Sequence, residues 1–129
     1  MRTVRDIMTA TVRTIHRDTY VCDVERVFAN HKISGAHVVD DTGNMVGFVS
    51  NSDVTRFDST GDDPSYARVH EIATRTVITI SPAASLEDAA QQMLREYVHH
   101  LVVLEQEAIV GILSSFDFIR LVASRSSEG

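Results

Sequence analysis

One cysteine, no tryptophan and an aromatic content of only 6% mark this chain of 129 residues. A single cysteine, Cys22, excludes an intramolecular disulfide and any cysteine-rich metal site. It falls within an apolar stripe of helical spacing and reads as a buried, inert thiol. Basic residues are also few: 12 Lys and Arg stand against 18 Asp and Glu, a formal net charge of −6. Non-specific nucleic-acid binding needs basic side chains to replace counterions on phosphates, so this charge argues against that class. A small phosphorylated ligand is not excluded, because a local cluster can be basic on an acidic protein. No apolar run approaches the ~20 residues of a membrane span, and the N-terminus lacks a signal-peptide core. A soluble, cytoplasmic protein is expected. Glycine-rich phosphate-binding and dinucleotide fingerprints are missing, and no nucleophile–base pair has a spacing that suggests a catalytic site, so no enzyme is expected.

What the chain does have is a repeat. Residues 4–56 and 69–120 carry one pattern twice. At an offset of 65, Val4, Ile7, Thr9, Thr11, Val12 and Ile15 fall on Val69, Ile72, Thr74, Thr76, Val77 and Ile80. After a turn one residue shorter in the second copy the offset is 64, and Gly47, Ser50 and Asp53 fall on Gly111, Ser114 and Asp117. Each half alone would bury little apolar surface, so the copies are expected to pack on one another. The boundaries read as a first repeat over 1–58, a linker over 59–68, a second repeat over 69–123 and a flexible tail over 124–129.

Each copy predicts strand, helix, strand, strand, helix. In the first, Thr11 to Ile15 alternates as a strand, and Asp18 or Thr19 caps a helix that buries Val21, Val24, Val27 and Phe28. Ala36 to Asp40 and Met45 to Ser50 are strands joined by the turn Asp41-Thr42-Gly43-Asn44. A helix begins near Asn51 and fades by Asp58. In the second copy, Ser85 to Asp88 fits a capping box ahead of Leu86, Ala89, Ala90, Met93 and Leu94. Leu101 to Glu105 and Ala108 to Leu113 are strands, and a last helix runs from about Ser115 to Ala123. The fold class is therefore α/β: two β-α-β-β-α repeats packed sheet to sheet with pseudo-twofold symmetry, each with a parallel pair and an antiparallel hairpin.

The segments carrying chemistry are Gly47 to Asp53 and Gly111 to Asp117, where an apolar strand runs into Ser-x-x-Asp at a helix start. One reading is a capping box alone. The other uses the same geometry: free N–H groups at a helix start for a phosphate, and a carboxylate suited to two ribose hydroxyls. Among the histidines, His99 and His100 are adjacent before a strand, so they face opposite sides and are not expected to share a metal. His16, His31 and His70 read as exposed, and His37 as a hydrogen-bonded structural residue within a strand.

With those motifs in order, twice, the chain resembles a tandem pair of cystathionine β-synthase (CBS) domains. Val4 to Thr9, Ile33 to Asp40, Val69 to Thr74 and His99 to Glu105 carry the likeness alongside the two Ser-x-x-Asp segments. The resemblance implies a non-catalytic regulatory module that needs no cofactor. It would bind adenosine-containing ligands, AMP, ADP or ATP before others, in a cleft between the repeats. Carried over by position, Asp53 and Asp117 would hold ribose hydroxyls, with Ser50 and Ser114 near ribose or phosphate. Thr9, Thr11, Val12, Thr74, Thr76 and Val77 would border the adenine. Ser34-Gly35 and His99-His100 would face phosphates, making two unequal sites, with Arg13, Arg56, Arg75 and Arg120 as further candidates for the phosphate charge. The resemblance also implies a homodimer. With no catalytic motif read in the sequence, action in trans on a separate regulated protein is expected, and charge and hydropathy predict no nucleic acid and no membrane as partners. The alternative is a ligand-free structural dimerisation or adaptor domain. His37 stands where many members of the family have proline.

Overall fold

The computed structural model describes residues 2–10 and 13–128, and side chains as far as 124. It forms two compact units whose limits differ from those of the repeats. One is Arg13–Val77; the other joins the N-terminal segment to everything from Ile78 onward. Each repeat therefore surrenders its lead-in: residues 2–10 pack with the second repeat, and 69–77 pack with the first.

In the Arg13–Val77 unit, β1 (Thr14–His16), β2 (Gly35–Val39) and β3 (Met45–Ser50) form a sheet in the order β1-β2-β3. β1 pairs parallel and β3 antiparallel with β2, as the strand–helix–strand–hairpin pattern requires. The observed β1 begins three residues after Thr11, which with Val12 lies outside the described residues. Helices α2 (Val21–His31) and α3 (Asn51–Asp58) complete the unit. Ile15, Val24, Phe28, Ala36, Val38, Val49, Val54 and Val69 form its core, so the 3.6-residue stripe of α2 meets one face of a two-residue strand period. Val69 belongs to a single 3₁₀ turn, Val69–Glu71, from the second repeat.

Neither Asp18 nor Thr19 caps α2. Tyr20 is its N-cap and makes no side-chain cap bond. The free N–H groups of the first turn are taken instead by the linker: Val21 donates to the Ala67 carbonyl at 2.9 Å and Cys22 to the Pro64 carbonyl at 3.0 Å. Cys22 lies on this turn and is half-buried rather than buried. At the far end, Lys32 adopts φ 53° and Ile33 donates back to the Phe28 carbonyl while packing on the core. In the β2–β3 turn, Gly43 takes φ 85° and Asp40 Oδ1 accepts from Thr42 N–H, Thr42 Oγ1 and Asn44 N–H. These bonds, that of the Thr42 hydroxyl first, hold the Asp40 carboxyl below its ordinary range.

His37 departs from expectation. It is fully buried on β2, and among the described residues neither Nδ1 nor Nε2 has a hydrogen-bond partner. Its ring meets Phe48 edge to face, centroids 5.7 Å apart, and burial lowers its pKa to about 4. The strand period explains the site: Ala36 and Val38 point into the core, so His37 points the opposite way, at the position that Val102 fills in the second repeat.

The split unit repeats the plan. Here β4 (Thr79–Ile80), β5 (His100–Glu105) and β6 (Ala108–Ser114) form the sheet, parallel then antiparallel. With them come α1 (Val4–Ile7), α4 (Leu86–Glu96) and α5 (Ser115–Glu128). Val4, Ala89, Met93, Leu101, Val103 and Leu113 make the core. Ser85 caps α4 by accepting from Asp88 N–H at 3.1 Å. Helix α1 is held at its start by the 82–84 loop, with Val4 donating to Ala84 and Arg5 to Pro82, and Arg5 also bonds Glu105 at 2.6 Å. The last helix continues to Glu128 rather than ending near Ala123, because Ser124 to Glu128 contain neither glycine nor proline to break it. The β5–β6 turn differs from its counterpart: Gln106 and Glu107 sit at φ 51° and 68° without glycine.

Candidate functional site

Each unit places one Ser-x-x-Asp segment where its last strand enters its last helix. At the start of α3, Asp53 Oδ2 accepts from Ser50 N–H at 2.9 Å and from the Ser50 hydroxyl at 3.0 Å. Asp53 N–H in turn reaches Ser50 Oγ at 3.4 Å, closing a capping box. At the start of α5, Asp117 Oδ2 accepts from Ser114 N–H at 2.8 Å and its hydroxyl at 3.2 Å. Both aspartates are almost fully buried, 5% and 2% exposed. A buried carboxylate needs a compensating charge. Arginine three residues on supplies it in both: Arg56 to Asp53 at 3.3 Å, and Arg120 to Asp117. The pattern is thus Ser-x-x-Asp-x-x-Arg, and both arginine side chains remain more than half exposed.

The strands bring further predicted residues alongside. Gly35 pairs with Ser50, and the Ser34 carbonyl accepts from Asn51 N–H at 2.9 Å. In the split unit His100 pairs with Ser114, and the His99 carbonyl accepts from Ser115 N–H at 2.9 Å. His99 is exposed, with Nδ1 3.4 Å from Ser115 Oγ, while His100 is half-buried.

The lead-in segments complete each cluster by exchange. Thr74 forms a two-way backbone bridge with Phe48 on β3 and sets its Oγ1 3.4 Å from Asp53 Oδ1. Thr9 makes the same bridge with Ile112 on β6, the strand that leads into Asp117. The repeat's glycines make room for this. A Cβ on Gly47 would stand 3.0 Å from the Thr74 carbonyl oxygen, and one on Gly111 would stand 2.8 Å from both the Thr9 oxygen and Met8 Sδ. Thr76, exposed, and Val77, half-buried, follow Thr74 along the same segment. Thr11 and Val12 lie outside the described residues.

Two Ser-x-x-Asp clusters, each beside a lead-in segment from the other repeat, agree with the family match. The CBS domain model covers residues 4–59 and again 69–124. The chain belongs to the CBS domain family. Among the relatives of this CBS pair, an uncharacterized protein, MJ1225, of Methanocaldococcus jannaschii is 30% identical over 121 residues. That match covers 94% of the chain but only 43% of the relative's length. Among solved structures, CBSX2 in complex with AMP has a TM-score of 0.78 at 26% identity, covering 98% of this chain and 99% of that one. The CBS domain pair of MJ0100, in complex with 5′-methylthioadenosine and S-adenosyl-L-methionine, has a TM-score of 0.82 at 25% identity, covering 93% and 98%.

Sequence reasoning named the two aspartates and both arginines but did not tie each arginine to its aspartate. The signal was available, since Arg56 and Arg120 each lie one helical turn beyond an aspartate. Among the described residues no helix is long and apolar enough to cross a membrane, and no three His, Cys, Asp or Glu side chains gather as a metal site needs.

Proposed function

We propose that this CBS pair is a cytoplasmic, non-catalytic regulatory module that binds an adenosine-containing ligand, AMP, ADP or ATP first, and acts on a separate protein. The observation that carries the reading is the buried carboxylate of each unit, held by a serine at a helix start and flanked by an exposed arginine. A carboxylate so placed can accept from both hydroxyls of a ribose. Its arginine can turn outward to a phosphate, as a fork of donors suits. The exposed His99 adds a donor at the start of α5, whereas the other unit has only Ser34 and Gly35 at that position. The complexes of CBSX2 and the MJ0100 pair support the ligand class. Ligand would act by preferring one arrangement of the module over another, and so altering contact with its partner.

Self-association belongs to the same reading. Phe116, Ile119 and Val122 lie on α5 at three-residue spacing and are 57–64% exposed, and Leu94 and Tyr97 are 77% and 96% exposed. Apolar area of this extent in one unit supports a homodimer formed through it. It also supports a second reading, a ligand-free dimerisation domain, in which both Ser-x-x-Asp clusters are only capping boxes.

Titration separates the two readings. The purified protein, freed of carried-over ligand, is titrated with AMP, ADP, ATP and S-adenosylmethionine, following heat and melting temperature. A binder gains stability as ligand exceeds its dissociation constant. Asp117→Ala should weaken binding more than Asp53→Ala. No response to any adenosyl ligand sinks the sensor reading and leaves the dimerisation domain.

A further inference from the structure

We propose that the Thr74 hydroxyl is an internal latch on Asp53, closing that site to a ligand diol and leaving Asp117 as the working site. The inference rests on the reading of both aspartates as diol acceptors. An ionised carboxylate offers about four lone-pair positions. At Asp53 all four are engaged. Oδ2 accepts twice from Ser50, and Oδ1 accepts from Arg56 at 3.3 Å and from Thr74 Oγ1 at 3.4 Å. At Asp117, Oδ2 accepts twice from Ser114 and, among the described residues, Oδ1 accepts from Arg120 alone, so one position stays open. Thr9, the counterpart of Thr74, is held to Ile112 through its backbone, and among the described residues its hydroxyl bonds no carboxylate.

A diol brings two donors. At Asp117 it needs only Arg120 to swing aside, and that side chain is 57% exposed with solvent to enter. At Asp53 it must displace Arg56 and also Thr74. Thr74 cannot leave as a whole, because its backbone is pinned to Phe48 by bonds of 2.8 and 2.9 Å; only a χ1 rotation turns its hydroxyl away. The hydroxyl is therefore tethered within reach of the acceptor and competes as a substitute for a ribose hydroxyl, at the high effective concentration that tethering confers. The two repeats thus keep one motif and use it differently: one unit is self-satisfied, the other is open.

The test is calorimetric titration with AMP of the wild type, Thr74→Val, Asp117→Ala, and Asp117→Ala combined with Thr74→Val or with Thr74→Ser. Wild type should bind one equivalent, and Thr74→Val should bind two. In the Asp117→Ala background, Thr74→Val should tighten binding by roughly tenfold, the worth of one hydrogen bond to a charged group. Thr74→Ser keeps the hydroxyl and should leave binding at the level of Asp117→Ala alone. Matching melting temperatures without ligand exclude a folding defect as the cause. Binding by wild type with no gain from Thr74→Val, or a loss from it, overturns the latch alone. Absence of AMP binding by every variant overturns the ligand reading and the latch with it.

Discussion

Replacing His37 by valine should abolish a large part of this protein's acid sensitivity. His37 is 0% exposed, both ring nitrogens lack partners among the described residues, and burial lowers its pKa to about 4 from an ordinary 6.5. The unfolded chain therefore binds a proton at His37 that the folded chain refuses between those two values. The contribution is fully present above pH 6.5 and is lost as the pH falls toward 4. The full gap of about 2.5 units corresponds to about 3.4 kcal/mol, of which about 2 kcal/mol is already lost at pH 5. Valine removes the titration. It also removes a buried N–H and lone pair that lack partners, each costing about 1–3 kcal/mol. Against that gain, the smaller side chain leaves space beside Phe48, so stability at pH 8 should change little. Val102, the counterpart in the other repeat, is 1% exposed and shows that valine suits the position. Urea unfolding of the wild type and of the His37→Val variant at pH 8 and pH 5 measures the effect. Carboxylates titrate equally in both proteins and cancel in the difference. An identical loss of stability between the two pH values in both proteins would refute the reasoning.

Two further changes test the packing and the turns. Gly111→Ala should cost about 1–3 kcal/mol in urea unfolding, because its Cβ would meet the Thr9 carbonyl and Met8 Sδ at 2.8 Å. Gly47→Ala should cost less, since its nearest contact is at 3.0 Å. Gln106→Asn with Glu107→Gly should raise stability by roughly 1–2 kcal/mol, because both positions hold left-handed backbone that asparagine and glycine adopt more easily. A melting temperature that stays level or falls in that double variant would count against the turn argument.

Much of the fold was legible because its signals are local. Met45 to Ser50 and Ala108 to Leu113 stand out by their β-branched, apolar content, and Asp41 to Asn44 announces a turn by residue type. Helix boundaries were harder where the stabilising group is distant. The start of α2 carries no useful side-chain cap, because Ala67 and Pro64, more than forty residues on, accept its N–H groups. His37 misled for a related reason. A histidine in a strand suggests a hydrogen bond, yet nothing local says whether a partner waits across the sheet. The Asp53–Arg56 and Asp117–Arg120 pairs, by contrast, follow from helical spacing alone.

The sequence by itself determined the duplication, the α/β class, the strand and helix order, and the two Ser-x-x-Asp segments, because each depends on residue periods and turn chemistry within a few positions. It determined too that two glycines precede those segments, without revealing what they make room for. Only the tertiary structure decided which residues meet. It sends Val4 to Thr9 to the second repeat's sheet and Val69 to Thr74 to the first, so each Ser-x-x-Asp site is finished by a segment from the other copy. The physical reason is that backbone groups of a lead-in can pair with either of two similar sheets, and sequence pattern is the same for both. Burial and bridge geometry, not period, select the partner, and that selection brings the Thr74 hydroxyl to Asp53, whereas among the described residues the Thr9 hydroxyl bonds no carboxylate.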